Sequence, residues 1–417
     1  MIARRQEAAG TTRGRILVVC TQYIGDTLLA IPFLRNLRQA HPAAVIDVCA
    51  EGGPRAVLAH CPYVDDRISW SRPPKGRRGG LSGAYAGLKS QADWLRSRGY
   101  TRAYLLKPSL SAATLAMLAG IPCRIGFAGE SSPLLTRRIR RRRGRHQAET
   151  YLDLLRAEGA AIDDGHNENW VPPSSAIRVG PLLDRLPAGR PRVFLAIQST
   201  DVLKHWPVDR WLRLIHWLVE DRGCELVLCG GPADAAAHDA LREAAGPRIA
   251  AHFHDLSELV PLADAAALAV RTDLCIGVDT GLVHLAASVG VPAVVLVGPT
   301  DPNRWSPWRT PSTVLRSSRV FPTLAERVAT ACGASDHLRW PLGRAAADDI
   351  PYADVEAAVA RYLPRAAPRT APRAIDLIDL IDLIDLTQGS FRYEVSAGRV
   401  TSAPASLPVS AAASAAG

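Results

Sequence analysis

Asp273-Leu-Cys-Ile-Gly-Val-Asp-Thr-Gly-Leu-Val-His-Leu-Ala-Ala-Ser-Val-Gly-Val-Pro292 reads as a strand, a turn and a helix in direct succession. Leu274 to Val278 is short, apolar and uninterrupted, as suits a strand buried on both faces of a parallel sheet. Asp279-Thr-Gly281 then turns into a helix running to Val289, and Val294-Val-Leu-Val297 supplies the next strand. A buried strand opening onto a helix start is the repeating unit of a doubly wound α/β fold, which binds ligands beyond the carboxyl ends of its strands. The free amides and positive dipole end at Thr280-Gly281 suit a diphosphate, and Gly281 lets a phosphate come close. His284 lies one turn on, at the same end of the helix. The alternative is structural: Asp279 caps the helix and His284 packs beside it.

The same unit recurs outward from this stretch. Upstream, the strand Val193-Phe-Leu-Ala-Ile197 leads into Gln198-Ser-Thr-Asp-Val-Leu-Lys-His-Trp-Pro207 and a helix whose Trp211, Leu214, Ile215 and Leu218 share one face. Lys204 in that loop can reach a phosphate held at the neighbouring helix terminus, whereas Trp206 reads as packing. Glu225-Leu-Val-Leu-Cys229 ends at Gly230-Gly-Pro-Ala-Asp234, where Asp234 either accepts a ribose hydroxyl or caps a helix. A further helix is expected around Leu259 to Leu268. In the first half, Ile16-Leu-Val-Val-Cys20, the loop Thr21-Gln-Tyr-Ile-Gly-Asp26, an amphipathic helix through Leu28, Ile31, Leu34 and Leu37, and Val45-Ile-Asp-Val-Cys49 make another βαβ opening. Asp26 would face a cleft as a general base or cap the helix from Thr27. Tyr104-Leu-Leu106 and the run Ser111 to Leu118 continue the alternating pattern, and Thr150 to Arg156 is helical.

The chain has 417 residues, of which 47% are hydrophobic and 22% charged, enough for two cores. The expected layout is a Rossmann-like domain over 14–180, a second over 190–365, and a low-complexity, disordered tail over 366–417. Residues Asp163 to Pro191 serve as the connection, and the tail carries four copies of Ile-Asp-Leu from Ile375 to Leu386. Eight scattered cysteines without zinc spacing read as buried thiols in a reducing compartment. No window approaches the roughly 20 apolar residues of a spanning helix, and no signal segment opens the chain, so a cytoplasmic location is expected, with the inner face of the membrane as a variant.

The net charge is +10, and Arg137-Arg-Ile-Arg-Arg-Arg-Arg-Gly-Arg145 alone holds seven arginines. Nucleic acid, an acidic membrane and a phosphorylated glycolipid all suit that charge, as does a merely solvated loop. There is no Gly-x-Gly-x-x-Gly after the first strand, no P-loop, no nucleophile elbow and no His-Glu-x-x-His. Dehydrogenase, NTPase, hydrolase and zinc-protease readings therefore fall away.

On Val278-Asp-Thr-Gly-Leu-Val-His-Leu-Ala-Ala287, Gly298-Pro-Thr-Asp-Pro302, Lys204-His-Trp-Pro207 and the opening Ile16 to Arg38 with Ile24-Gly-Asp26, the chain resembles glycosyltransferase family 9, the heptosyltransferases, over residues 14–362. The resemblance implies a GT-B fold of two Rossmann-like domains facing a cleft and an inverting, metal-free mechanism needing no cofactor. It further implies an ADP-heptose-like nucleotide-diphosphate sugar as donor and a glycan acceptor such as the lipopolysaccharide inner core. Asp26 matches the family's base and Lys204 its phosphate-binding lysine. Ser199, Thr200, Asp234, Asp279, Thr280, Gly281 and His284 fall on the donor site, with Asp234 standing where the family often has Glu. By its place in the first half, the block Arg140, Arg141, Arg142 and Arg143 is expected on an anionic glycolipid acceptor, with a peripheral membrane contact and no nucleic acid partner. A nucleotide-sugar epimerase of the same fold and a non-catalytic sugar-nucleotide binder are the other two readings.

Overall fold

Short apolar runs at the predicted spacing fold into two separate parallel sheets. The computed structural model describes residues 14–20, 23–70, 80–129, 131–317 and 347–363. The first sheet contains β1 (Arg15–Val19), β2 (Val45–Ala50), β3 (Asp66–Ser69), β4 (Arg102–Leu105), β5 (Cys123–Phe127) and β6 (Arg137–Ile139). The second contains β7 (Arg192–Ala196), β8 (Glu225–Leu228), β9 (Phe253–Asp255), β10 (Leu274–Val278), β11 (Ala293–Val297) and β12 (Ser312–Arg316). Among the described residues the spatial orders are β3-β2-β1-β4-β5-β6 and β12-β11-β10-β7-β8-β9. With β7 counted as the first strand of its sheet, both follow the doubly wound order 3-2-1-4-5-6. The order reverses between β1 and β4 in one sheet and between β7 and β10 in the other. Register is parallel throughout, with Ile16 beside Ile46 and Arg102, and Ile276 beside Val294 and Leu195.

The central strands are buried on both faces, β10 and β11 at every residue, so their alternation is invisible and their run of apolar residues is what identifies them. The edge strands are different: β6 is exposed at Arg137 and Arg138, and β12 is half-buried along most of its length. Their sequences lack the apolar signature, which is why β3, β6, β9 and β12 were not foreseen. The first three residues of the arginine run are therefore an edge strand, not loop. The run Ser111 to Leu118 lies in a helix, Leu110–Leu118, started by the Ser109 hydroxyl.

The connection after residue 163 also contains a helix, Pro173–Asp184, which buries Val179 and Leu183. Its Arg178 forks onto Asp264 with Nε and Nη2 contacts of 2.9 and 2.8 Å, and Ser175 donates to the same carboxylate. That helix is thereby fastened to the second half, and the apolar core running beneath the first sheet continues into the second. Trp206 packs edge-on against Trp211 at 5.1 Å and donates to the Ile350 carbonyl, a structural role. The seven described cysteines are unpaired, and all but Cys123 are buried. Among the described residues no helix is long and apolar enough to cross a membrane. The tail repeat Ile375 to Leu386 and Cys332 lie outside the described residues.

Candidate functional site

The first sheet brings two loops together where its order reverses. After β1, Tyr23 precedes the helix Ile24–Leu28, whose first turn carries Asp26. After β4, Leu106 leads to Lys107. The Lys107 ammonium pairs with Asp26 Oδ2, and the Tyr151 hydroxyl donates to Oδ1 at 3.4 Å. Asp26 is only 4% exposed, and the lysine is the cation that faces its buried carboxylate. Burial, reinforced by the Asp26 charge, pushes the Tyr151 phenol well above its usual range, and it remains a donor at any physiological pH. Burial likewise pushes the adjacent Cys20 thiol up to about 11.

The second sheet repeats this pairing with the partners exchanged. Lys204 comes from the loop after β7, where Asp201 caps the short turn Val202–Lys204 by accepting from the Leu203 amide at 3.1 Å. Its ammonium donates to Asp279 Oδ2 at 2.7 Å and to the Asp279 carbonyl at 3.0 Å. Thr300 donates to the same carboxylate oxygen at 2.6 Å, and His284 Nε2 lies 3.7 Å from Oδ1. Burial alone would raise the Asp279 carboxyl, but the His284 imidazole and the Lys204 ammonium prevail and hold it well below the usual carboxylate range. His284 Nδ1 is buried with no hydrogen-bond partner among the described residues. Thr280 precedes the helix Gly281–Ser288, whose first amides open towards the cleft.

Both starting helices meet head to head, and glycine makes this possible. A Cβ on Gly281 would sit 2.6 Å from Ile24 Cβ, and one on Gly25 would sit 2.8 Å from the His284 ring. Between them opens a cleft of about 620 Å³. Asp26, Lys107, Arg141, Ser199, Thr200, Lys204, Asp279, Thr280, Gly281 and His284 all line it. Among the described residues no group of three His, Cys, Asp or Glu side chains is placed to hold a metal ion.

Some expected site residues are not brought to this lining. Asp234 accepts from the Gly231 amide at 2.7 Å and caps the helix Pro232–Ala244, which is the capping alternative. The arginine run is also divided. Arg137 pairs with Glu158 and Arg145 with Asp153, while Arg140, Arg142 and Arg143 are exposed and absent from the cleft lining. Arg141 alone of the block turns inward, its guanidinium 5.1 Å from the centre of the Phe127 ring. The block is thus divided, with Arg141 at the cleft and Arg140, Arg142 and Arg143 towards solvent, rather than forming one lining of the site.

Sequence reading missed Lys107, Tyr23, Gln147 and Arg304. Lys107 was within reach, because it follows Tyr104-Leu-Leu106 at the carboxyl edge of a strand. Arg304 Nε donates to Gln147 Oε1 at 2.8 Å, joining the two halves across the cleft. Beside it His146 stacks on Trp308 at 4.3 Å and donates through Nε2 to the Ser306 carbonyl, while Nδ1 accepts from the Ala148 amide. Burial lowers the His146 imidazole to about 4, with the Ser306 carbonyl opposing and His284 adding to the shift.

Two Rossmann-type sheets facing one cleft, each presenting its switch-point loops to the other, are the GT-B arrangement. A family model described as Glycosyltransferase family 9 (heptosyltransferase) matches residues 90–330, and the chain belongs to that family. It is 28% identical over 314 residues to lipopolysaccharide heptosyltransferase 2 of Escherichia coli (strain K12), spanning 72% of this chain and 88% of that protein. It is 30% identical to lipopolysaccharide heptosyltransferase 1 of Pseudomonas aeruginosa, spanning 69% of this chain and 79% of that one. The solved structure described as E. coli ADP-heptose lps heptosyltransferase II superposes with a TM-score of 0.62 at 25% identity, covering 72% of this chain and 90% of that chain.

Proposed function

We propose that this glycosyltransferase moves a heptose-like sugar from a nucleotide diphosphate, ADP-heptose favoured, to a hydroxyl of a lipopolysaccharide inner core or a related anionic glycan. The observation that carries this reading is the placement of Asp26 in one cleft with Lys204, Thr280 and Gly281. Donor choice is supported by the ADP-heptose named for the solved relative, and acceptor class by the lipopolysaccharide named for the others. Arg141, the member of the arginine block that lines the cleft, is placed to meet an acidic group on the acceptor.

In this mechanism Asp26 removes the proton from the acceptor hydroxyl, the oxygen forms its bond to the anomeric carbon, and the bond from that carbon to the diphosphate oxygen breaks in the same displacement. The nucleoside diphosphate leaves with the electron pair. Its growing charge is met by Lys204 and by the amides at the start of Gly281–Ser288, which are already oriented. His284, which lines the cleft beside Thr280 and Gly281, offers a further contact to the donor. Asp279 is held by Lys204 and Thr300 on the donor side, and Asp26, on the first-sheet side, is the carboxylate this reading assigns to proton transfer in one displacement with inversion. Fixed cations and amides carry the leaving-group charge, so the reaction runs without a metal, at the cytoplasmic face of the membrane where such an acceptor is assembled.

The test is transfer from ADP-heptose to heptose-deficient lipopolysaccharide by the purified chain, with the anomeric configuration of the product assigned by NMR. Inversion and unchanged rates in EDTA are expected. Retention, or activity lost in EDTA and recovered with Mg²⁺ or Mn²⁺, overturns the mechanism. Epimerisation or hydrolysis of the donor with no transfer overturns the function.

A further inference from the structure

Tyr23 sits oddly for an aromatic residue. The residue is 65% exposed, although it lines the cleft. Its backbone is at φ 55°, ψ 132°, a strained region that residues other than glycine rarely enter. Glycine occupies each of the other positive-φ positions among the described residues except Arg309. A strained backbone that holds an aromatic ring in water is not explained by burial, because the ring gains little of it and Gly would relieve the strain. What the strain does is present the ring three residues before Asp26.

The ring is also oriented. The Lys107 ammonium, which pairs with Asp26, lies 4.8 Å from its centre. Tyr23, Lys107 and Asp26 are thus one connected group, and the phenol hydroxyl has no hydrogen-bond partner in the described protein. Exposed aromatic faces beside a polar hydroxyl-handling group suit a sugar ring, whose axial C–H bonds pack on the π-face while its hydroxyls reach the neighbouring charges. The donor's phosphate-binding groups all lie in the second half, on the loops after β7 and β10.

We infer that Tyr23 is the acceptor platform: the acceptor's sugar ring stacks on it, and this places the nucleophilic hydroxyl at Asp26. The inference rests on the assignment of Asp26 to the acceptor side of the cleft. It gives this chain a specificity element for a pyranose acceptor rather than a protein or small alcohol.

The experiment uses three variants of the full chain, Tyr23→Phe, Tyr23→Ala and Tyr23→Gly, with the oligosaccharide released from heptose-deficient lipopolysaccharide as probe. Binding in the presence of ADP is measured by calorimetry, alongside ADP affinity and Tm. Tyr23→Ala and Tyr23→Gly should weaken oligosaccharide binding about five- to tenfold, Tyr23→Phe should bind within about twofold of wild type, and ADP affinity should not change. Tyr23→Gly should at the same time raise Tm by a few degrees, because it relieves the backbone strain. Oligosaccharide affinity that is equal in all four proteins overturns the inference, as does a loss confined to ADP. A wild type that binds the oligosaccharide through Tyr23 yet transfers no sugar leaves this inference standing and removes the transferase mechanism. A wild type that binds no oligosaccharide removes the inference itself.

Discussion

The two switch points of this protein are built alike and tuned apart. In the first sheet the loop after β1 carries the carboxylate, Asp26, and the loop after β4 carries the lysine, Lys107; in the second the loop after β7 carries the lysine, Lys204, and the loop after β10 the carboxylate, Asp279. Both pairs bridge the place where strand order reverses. The surroundings differ. Asp279 has two protein donors on one oxygen and an imidazole facing the other, and its carboxyl is held far below the ordinary range. Asp26 has one lysine and a long 3.4 Å contact from Tyr151. A carboxylate with many fixed donors is a poor base and a good anchor, whereas one with few can take a proton. On the proposed function, one geometry would serve as a phosphate-side clamp in the second sheet and an acceptor-side base in the first.

The sharpest way to break that contrast is to neutralise each carboxylate in turn. Asp26→Asn should lower turnover by about 100-fold or more with ADP affinity unchanged, the usual range for loss of a general base. Asp279→Asn should instead weaken ADP binding by roughly tenfold, because Lys204 loses the partner that orients it. Turnover and calorimetry on both variants decide it, and matching phenotypes would make the two switch points functionally equivalent.

Next in size is the lysine. Lys204→Met leaves the Asp279 charge buried without its cation and should cost about 2–3 kcal/mol in urea unfolding, at the lower end for a buried pair because Lys204 is itself partly exposed. Denaturation midpoints of Lys204→Met and Lys107→Met, measured together, show which pair the fold depends on more.

Acid titration separates the halves further. His146 has its folded pKa lowered from 6.5 to about 4, so it favours the folded state when neutral. Its stabilisation is complete above about pH 6.5, declines as pH falls because the unfolded chain takes the proton first, and is gone below about pH 4. Asp279 is also depressed, but as an acid its contribution persists above the unfolded carboxyl range near pH 4 and falls only below it. Stability against pH should thus fall in two stages; His41, whose imidazole is also lowered by burial, shares the upper one, and His146→Gln should shrink it. A single stage below pH 4 in wild type would show that the His146–Trp308 contact between the halves contributes little.

The smallest effect concerns the arginines. Arg141→Ser should raise the acceptor Michaelis constant several-fold, whereas Arg142→Ser should stay within about twofold at 0.15 M salt, where exposed charges are screened beyond roughly 8 Å. Equal shifts for the two would restore the run as one electrostatic patch.

The apolar runs at Ile16–Cys20, Val193–Ile197 and Leu274–Val278, each followed by a loop and an amphipathic segment, determined the doubly wound fold in two copies, because buried parallel strands and helix faces write their periodicity into adjacent residues. Asp26, Lys204, Asp279, Thr280, Gly281 and His284 were legible for the same reason, since each follows a central strand at its carboxyl end. Edge strands such as Arg137–Ile139 were not, because half their residues meet water and need no pattern. Pairing was decided only by the tertiary structure. Asp26 meets Lys107 across 81 positions and Lys204 meets Asp279 across 75, distances that sheet order closes and that no local signal encodes. The inward turn of Arg141 alone, onto the ring of Phe127, and the placing of Tyr23 beside Lys107 belong to the same class, for each depends on which neighbouring strand's loop stands opposite.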